Sequence, residues 1–246
     1  HVSRIVKETQ LIDRFQRARR DKNLAVIEGA QALKHAVRFK ADLQEIIICD
    51  IDMASQLLST VAPDISQMVL KNAKTVSEEV FSKLSPQPPR TKVIALAKRR
   101  PYTLSKIKLE KPIVFLENPR DLENIGAVIR VAAAADTGGV VVSGPADVWH
   151  PAVIRGSAAL QYAIPVLTSE PAKIRVGRPV ISLDPSGQAI NKKLVPSNAV
   201  LVFGTERSGL QPETLQTSDG VLSLPMKPGV SSLNLATSVA ATLYMM

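Results

Sequence analysis

Cysteine appears once, at Cys49, so the chain can close no internal disulfide and offers no cysteine cluster for a metal. Histidine is almost as scarce, and His1, His35 and His150 lie too scattered to make a metal-ligand set, so no metal is expected. Long apolar runs are missing as well. The closing stretch Leu233 to Met246 has no charge, yet its 14 residues include Asn234, Thr237 and Ser238 and fall short of the ~20 that span a bilayer. The opening residues, HVSRIVKETQ, hold no apolar core of the signal-peptide kind, so a cytoplasmic protein free of membranes is expected. Repeats and low-complexity tracts are absent. No G-x-G-x-x-G follows a strand, GTERSGL lacks the Lys-Ser/Thr of a P-loop, and no Ser-His-Asp grouping is visible. Conventional dinucleotide binding, P-loop chemistry and triad hydrolysis therefore drop out.

What is present is an ordinary globular composition, 45% apolar over 246 residues, enough for one large domain or two modest ones. The charge is lopsided. Residues 1–110 carry 20 basic and 12 acidic side chains, a net of +8, whereas residues 111–246 carry 11 and 10, a net of +1. The surplus includes Arg17, Arg19, Arg20 and Lys22, then Lys98, Arg99 and Arg100. A basic surface attracts polyanions, RNA or DNA first, with a merely solvated basic face as the alternative.

Apolar spacing predicts an amphipathic helix over 4–20, strands at LAVIEG, LQEIIICD, QMVLK and TKVIALAKR, and helices at AQALKHAVRF, ASQLLSTV and TVSEEVFSKLS, the last capped by Ser77 or Thr75. This alternation describes a small α/β sandwich over 1–104, with the basic segment 99–112 as linker. A second domain, 105–246, runs through PIVFLEN, helix IGAVIRVAAAAD, GGVVVSG, helix PAVIRGSAAL, AIPVL, RPVISLD, AVLVFG, VLSLP and a closing helix. Continuous Val/Ile/Leu runs between helices indicate a mostly parallel sheet buried on both faces, whose ligands sit at the strand carboxyl ends. Those ends are ENPRDLENIG, SLDPSG, FGTERSG and LPMKPG. Spacing alone therefore yields an α/β domain with one loop-rich edge, joined to a basic domain.

Three stretches in order, ENIGAVIRVAAA (123–134), LVFGTERSGL (201–210) and LSLPMKPGVSSLNLATSVAATLY (222–244), resemble the signature motifs of the SpoU/TrmH RNA 2′-O-ribose methyltransferases. VIEGAQAL resembles, more weakly, the ribosomal-protein-like substrate-binding domain that often precedes them. The resemblance implies a deep trefoil knot at the C-terminus, a bent S-adenosylmethionine pocket between knotted loops, and a homodimer sharing its catalytic cleft. Pro225, Pro228 and Gly229 would make the stiff turn that threads the chain, with Ser231 or Ser232 capping the final helix.

Residue by residue, the resemblance implies that Asn124 orients the site and that Arg130 contacts the target's phosphate and serves as base. Because a protein seldom deprotonates a guanidinium, Arg130 is equally a fixed cation that stabilises the developing alkoxide while the substrate phosphate takes the proton. Glu206 matches the motif carboxylate that orients Arg130 or the methionine end. Ser232 and Asn234 position cofactor or ribose, and Gly204, Leu183, Leu224, Met226 and Leu233 line the cofactor pocket. Arg17, Arg19, Arg20, Lys22, Arg99 and Arg100 are the RNA-binding candidates. The implied activity is 2′-O-methylation of structured RNA, ribosomal in preference to transfer RNA because a separate basic domain suits a large folded substrate. The competing readings are a non-catalytic RNA-binding protein of the same fold, a tRNA 2′-O-methyltransferase, and methylation of a base.

Overall fold

The computed structural model describes residues 2–175, 177–205 and 207–246, with Val2 as backbone only. In chain order the elements begin α1 (Val2–Ala18), β1 (Leu24–Glu28), α2 (Ala30–Arg38), β2 (Leu43–Ile48), α3 (Ile51–Val61) and α4 (Pro63–Asn72). They continue β3 (Lys74–Thr75), α5 (Glu78–Ser82), β4 (Val93–Lys98), β5 (Ile113–Leu116), α6 (Leu122–Ala134), β6 (Gly139–Val142) and α7 (Pro151–Ser157). The last are β7 (Val166–Thr168), β8 (Val180–Ala189), β9 (Val200–Phe203), α8 (Pro212–Thr217), β10 (Gly220–Ser223) and α9 (Leu235–Tyr244). Among the described residues no helix is long and apolar enough to cross a membrane.

Two compact units result. The first takes residues up to Arg100 together with Trp149–Tyr162, and the second takes Pro101–Val148 with Ala163–Met246. The sequence reading placed 149–162 in the second domain; a cut at one point along the chain cannot represent a segment that returns. Here α7 buries Val153 and Ile154, and Tyr162 Oη donates to the Lys98 carbonyl at 2.7 Å. His35 Nδ1 donates to the Ala158 carbonyl at 2.8 Å in the same unit.

In the first unit four strands order β1-β4-β2-β3, antiparallel except for the parallel β2–β3 pair. Phe15 and Ala18 of α1 pack with Val26, Ile47, Phe81, Leu84, Ile94 and Leu96 as the core. The run QMVLK, expected as a strand, forms the second half of α4. Pro63 at the helix start presets a helical φ, and Ile65 and Val69, four apart, bury one face. Only the two residues of β3 extend the sheet beyond it. Ser77 caps α5, accepting from the Val80 amide at 3.2 Å.

In the second unit six strands order β10-β8-β9-β5-β6-β7, every pairing parallel. The strands β5, β6 and β9 are buried at every residue, as unbroken apolar runs require when helices cover both faces. Arg178, 5% exposed, donates to the carbonyls of Lys108, Lys111 and Asn198, and burial lowers its pKa. It ties the start of this unit to the entrances of β8 and β9, a buried cation that apolar periodicity does not reveal.

Candidate functional site

Residues along β10 pair first with Ile181 and Ser182 of β8, then jump to Gln188 and Ala189. The five residues 183–187 are looped out of that ladder. Gly187 makes the return, because a Cβ there would sit 2.6 Å from the Val221 backbone. Asp184 stiffens the bulge by accepting from the Ser186 amide at 2.9 Å and from the Ser186 hydroxyl.

A second tight loop follows β9. A Cβ on Gly204 would lie 2.4 Å from the Gly209 carbonyl carbon, and Gly209 sits at φ +62, so side chains are excluded where the two strands of the loop touch. The Gly209 amide donates to the Thr205 carbonyl at 3.0 Å, and Thr205 and Ser208 hydroxyls meet at 2.9 Å. Glu117, 8% exposed at the end of β5, anchors the far side. Its carboxylate accepts from the Gln211 amide at 2.9 Å and from the Thr214 hydroxyl, while its own amide donates to the Phe203 carbonyl at 3.0 Å. Sequence reasoning missed Glu117. The signal available was an acid at the end of an apolar strand, in PIVFLEN.

The third wall is the tail from Ser223 to Ser238. A turn closes between the Val230 amide and the Lys227 carbonyl at 3.0 Å, with Gly229 at φ +93, where Pro228-Gly229 was expected to turn the chain. Neither Ser231 nor Ser232 caps α9. Asn234 does, its Oδ1 accepting from the Thr237 amide at 3.2 Å, since the helix starts two residues later than the serines allow. At the opposite end of β10 from the cavity, Asp219 accepts from the Val180 amide at 2.8 Å and from Arg175 at 3.0 Å. Those two contacts, the amide first, hold its carboxyl below the usual range.

Together these loops enclose a cavity of about 720 Å³, within the range of pockets that hold a nucleoside-sized ligand. Leu183, Gly204, Leu224, Met226, Ser232 and Leu233 all line it. Asp184, not singled out from sequence, is the one charged side chain among the described lining residues. Asn234, flanked by Leu233 and Leu235 of the lining, donates from Nδ2 to Asn124 Oδ1 at 3.2 Å. The first and third motifs meet through that bond. Asn124 is itself set by Asp121, whose carboxylate caps α6 by accepting the Asn124 amide at 3.0 Å.

Arg130 behaves differently. It is exposed on α6, makes no ion pair among the described residues, and does not line the cavity. Six residues of helix put it ~120° around and ~9 Å along from Asn124, so the two share no face. Glu206 lies outside the described residues. Of the basic candidates, Arg17, Arg19 and Arg20 gather at one cleft of the first unit, whereas Arg99 and Arg100 do not join them. Arg99 donates to the Leu24 carbonyl at 2.8 Å. Arg100 is used up on the carbonyls of Tyr162, Phe39 and Lys40 at 2.8, 3.0 and 2.8 Å, with its guanidinium 5.2 Å from the Tyr162 ring centre. Lys22 is exposed and does not line that cleft.

Known proteins resemble this chain in sequence and fold. The chain is 26% identical over 248 residues, 96% of its length and 90% of the relative's, to a 23S rRNA (adenosine(1067)-2′-O)-methyltransferase of Streptomyces laurentii. It is 29% identical over 144 residues, 53% of this chain and 50% of the other, to a 23S rRNA (uridine(2479)-2′-O)-methyltransferase of Streptomyces viridochromogenes. The crystal structure of an RNA 2′-O ribose methyltransferase superposes with TM-score 0.75 at 26% identity, covering 98% of this chain and 94% of that one. The SpoU methyltransferase AviRb from Streptomyces viridochromogenes, in complex with the cofactor AdoMet, shares the fold at TM-score 0.76 and 22% identity, covering 94% and 96%. A family model described as SpoU rRNA Methylase matches residues 111–244, more than half the chain and all three motifs. With those motifs brought together on one looped-out sheet edge, the chain belongs to the SpoU rRNA methylase family.

Proposed function

We propose that this protein is an S-adenosylmethionine-dependent 2′-O-ribose methyltransferase acting in the cytoplasm on large-subunit ribosomal RNA. The observation that carries the reading is the Asn234–Asn124 bond at 3.2 Å on the rim of a cavity with a glycine-made wall. The relatives' names supply the RNA and the position of methylation. The cavity fits the cofactor. Its lining holds no cation among the described residues, it has one carboxylate for a cationic ligand, and at Gly204 and Gly209 backbone can approach without Cβ interference.

When bound, S-adenosylmethionine supplies an electrophilic methyl group. The chain's residues do the rest. Leu183, Leu224, Met226 and Leu233 offer apolar walls and backbone groups to adenine, and Asp184 faces the ligand's positive charge. Asn124 and Asn234, locked together, orient the ribose, with Ser232 beside them. The Arg130 guanidinium stabilises negative charge developing on the attacking ribose 2′-oxygen as its proton passes to the substrate phosphate, a more physical role for a guanidinium than taking the proton.

Because Arg130 lies off this cavity, the reading includes a homodimer in which a second copy contributes it. Val230, Leu233, Tyr244 and Met245, exposed at 50, 38, 68 and 41%, supply apolar surface at both ends of α9 for that contact. The tail threading as a trefoil knot belongs to the same reading and is consistent with the three loops that bound the cavity.

The test is transfer of labelled methyl from S-adenosylmethionine to ribosomal RNA, followed by mapping of the product nucleotide. A 2′-O-methyl nucleotide is expected; a methylated base, or methylation confined to transfer RNA, rejects the assignment. Arg130→Ala should lower turnover by about 10²–10³, the usual loss when one transition-state charge donor is removed, with cofactor affinity unchanged by calorimetry. A variant within threefold of the parent removes Arg130 from the chemistry.

A further inference from the structure

We infer that the cleft beside α1 in the first unit binds an unpaired RNA nucleotide together with its phosphate, an assignment that rests on the RNA reading above and sharpens it. The cleft measures about 740 Å³ and is lined by Arg17, Arg19, Arg20 and Lys83, with Leu84, Ser85 and Pro86 beside them. Four cations there face a single lining acid, Asp13.

The cations differ in how they are held. Arg19, its side chain 20% exposed, pairs at 3.4 Å with Glu28, whose side chain is 3% exposed. Glu28 also pairs with Arg155 at 3.5 Å and accepts a hydrogen bond from Ser85 Oγ. One buried carboxylate thus meets two guanidinium groups, which leaves a positive charge unmatched while fixing Arg19 and Ser85 in place. Arg20 has no ion pair among the described residues. The Arg17–Asp13 pair at 3.0 Å and the Lys83–Glu79 pair at 3.5 Å are exposed, and such pairs are weak enough for a phosphate to replace. A fixed cation flanked by easily released ones is a phosphate site.

Concavity selects the form of RNA. A duplex presents a convex backbone with its bases stacked inside, so it can meet only the rim. An unstacked nucleotide brings its phosphate to the arginines and its base against the exposed ring of Pro86.

The full-length protein would be titrated with a short fluorescent oligouridylate and, separately, a blunt RNA duplex. The variant Arg20→Ala/Lys83→Ala tests the cleft, and Lys7→Ala/Lys71→Ala removes the same charge elsewhere on the unit. The cleft variant should bind oligouridylate about 25-fold more weakly near 0.1 M salt, with a log–log salt slope shallower by about 1.4, from two contacts at ~0.7 each. Its duplex affinity, and both affinities of the control variant, should stay within twofold of the parent. Parental oligouridylate affinity in the cleft variant, or an equal loss on duplex or in the control, overturns the cleft while methyl transfer by the parent keeps the enzyme reading intact. A parent that neither binds oligouridylate nor methylates ribosomal RNA fails on the broader reading and takes the cleft with it.

Discussion

The first unit makes its concave surface from charged side chains, Arg17, Arg19, Arg20 and Lys83, of which Arg19 is held by the buried carboxylate of Glu28. The second makes its cavity from backbone: a looped-out strand, a glycine-closed turn and a tail capped by Asn234, with Asp184 as the only charge in the described lining. Charges on flexible stems suit a long polyanion whose phosphates repeat and need no single geometry. Backbone walls suit a small ligand whose shape must be held rigidly, since looped-out main chain cannot rearrange without breaking its neighbours' hydrogen bonds.

The largest expected break in this comparison is at Gly204. With a Cβ only 2.4 Å from Gly209 backbone, Gly204→Ala should abolish measurable S-adenosylmethionine binding by calorimetry while leaving oligouridylate affinity intact. Cofactor affinity near the parent's would mean that the cavity wall is not the binding surface. Salt separates the two regions next. Between 50 and 200 mM, four phosphate contacts on single-stranded RNA cost about 50-fold in affinity at ~0.7 each, whereas cofactor affinity should move by less than twofold. Equal salt responses would erase the distinction.

A smaller effect is expected at Glu117. Replacing the carboxylate by an amide, Glu117→Gln, weakens its hold on Gln211 and Thr214 and should raise the cofactor dissociation constant about tenfold, the scale of one charged hydrogen bond at ~1.5 kcal/mol. An unchanged constant would show that the loop holds itself. The smallest effect concerns acid. The Asp219 carboxyl is depressed by the Val180 amide and Arg175, so its stabilisation is present above the unfolded pKa of ~3.9 and is lost as pH falls through the lower folded value. Asp219→Asn should therefore melt a few degrees below the parent at neutral pH, the two curves converging below about pH 4. Parallel curves across that window would rule out Asp219 as the cause.

Legibility along the chain follows the range of the forces involved. The parallel strands of the second unit were readable because each is apolar throughout, as burial on both faces demands. The lining residues Leu224, Met226 and Leu233 were reachable through the third motif, and Leu183 through the strand end SLDPSG. The helix at 67–71 was misread because its short apolar run fits either period, and Pro63, four residues upstream, decided the matter. The cap on α9 was misplaced because Ser231, Ser232 and Asn234 all have capping side chains, and only the exit angle of the tail chooses among them. Glu117 and Arg178 look like surface charges in the sequence. Their burial depends on the Gln211 amide and on the Lys108 and Lys111 carbonyls, each contributed from dozens of residues away. Arg99 and Arg100 misled in the opposite direction, since a basic run advertises charge and says nothing about which carbonyls will consume it.

The sequence by itself determined the periodicities, the charge division between the halves and the three motifs, because each is carried by neighbours in the chain. Tertiary structure alone decided that 149–162 returns to the first unit, that 183–187 leave the β8–β10 ladder, and that Asn124 meets Asn234 across 110 positions. Those outcomes depend on which distant backbone groups are left to be satisfied once the sheets have formed, and no local stretch encodes that remainder.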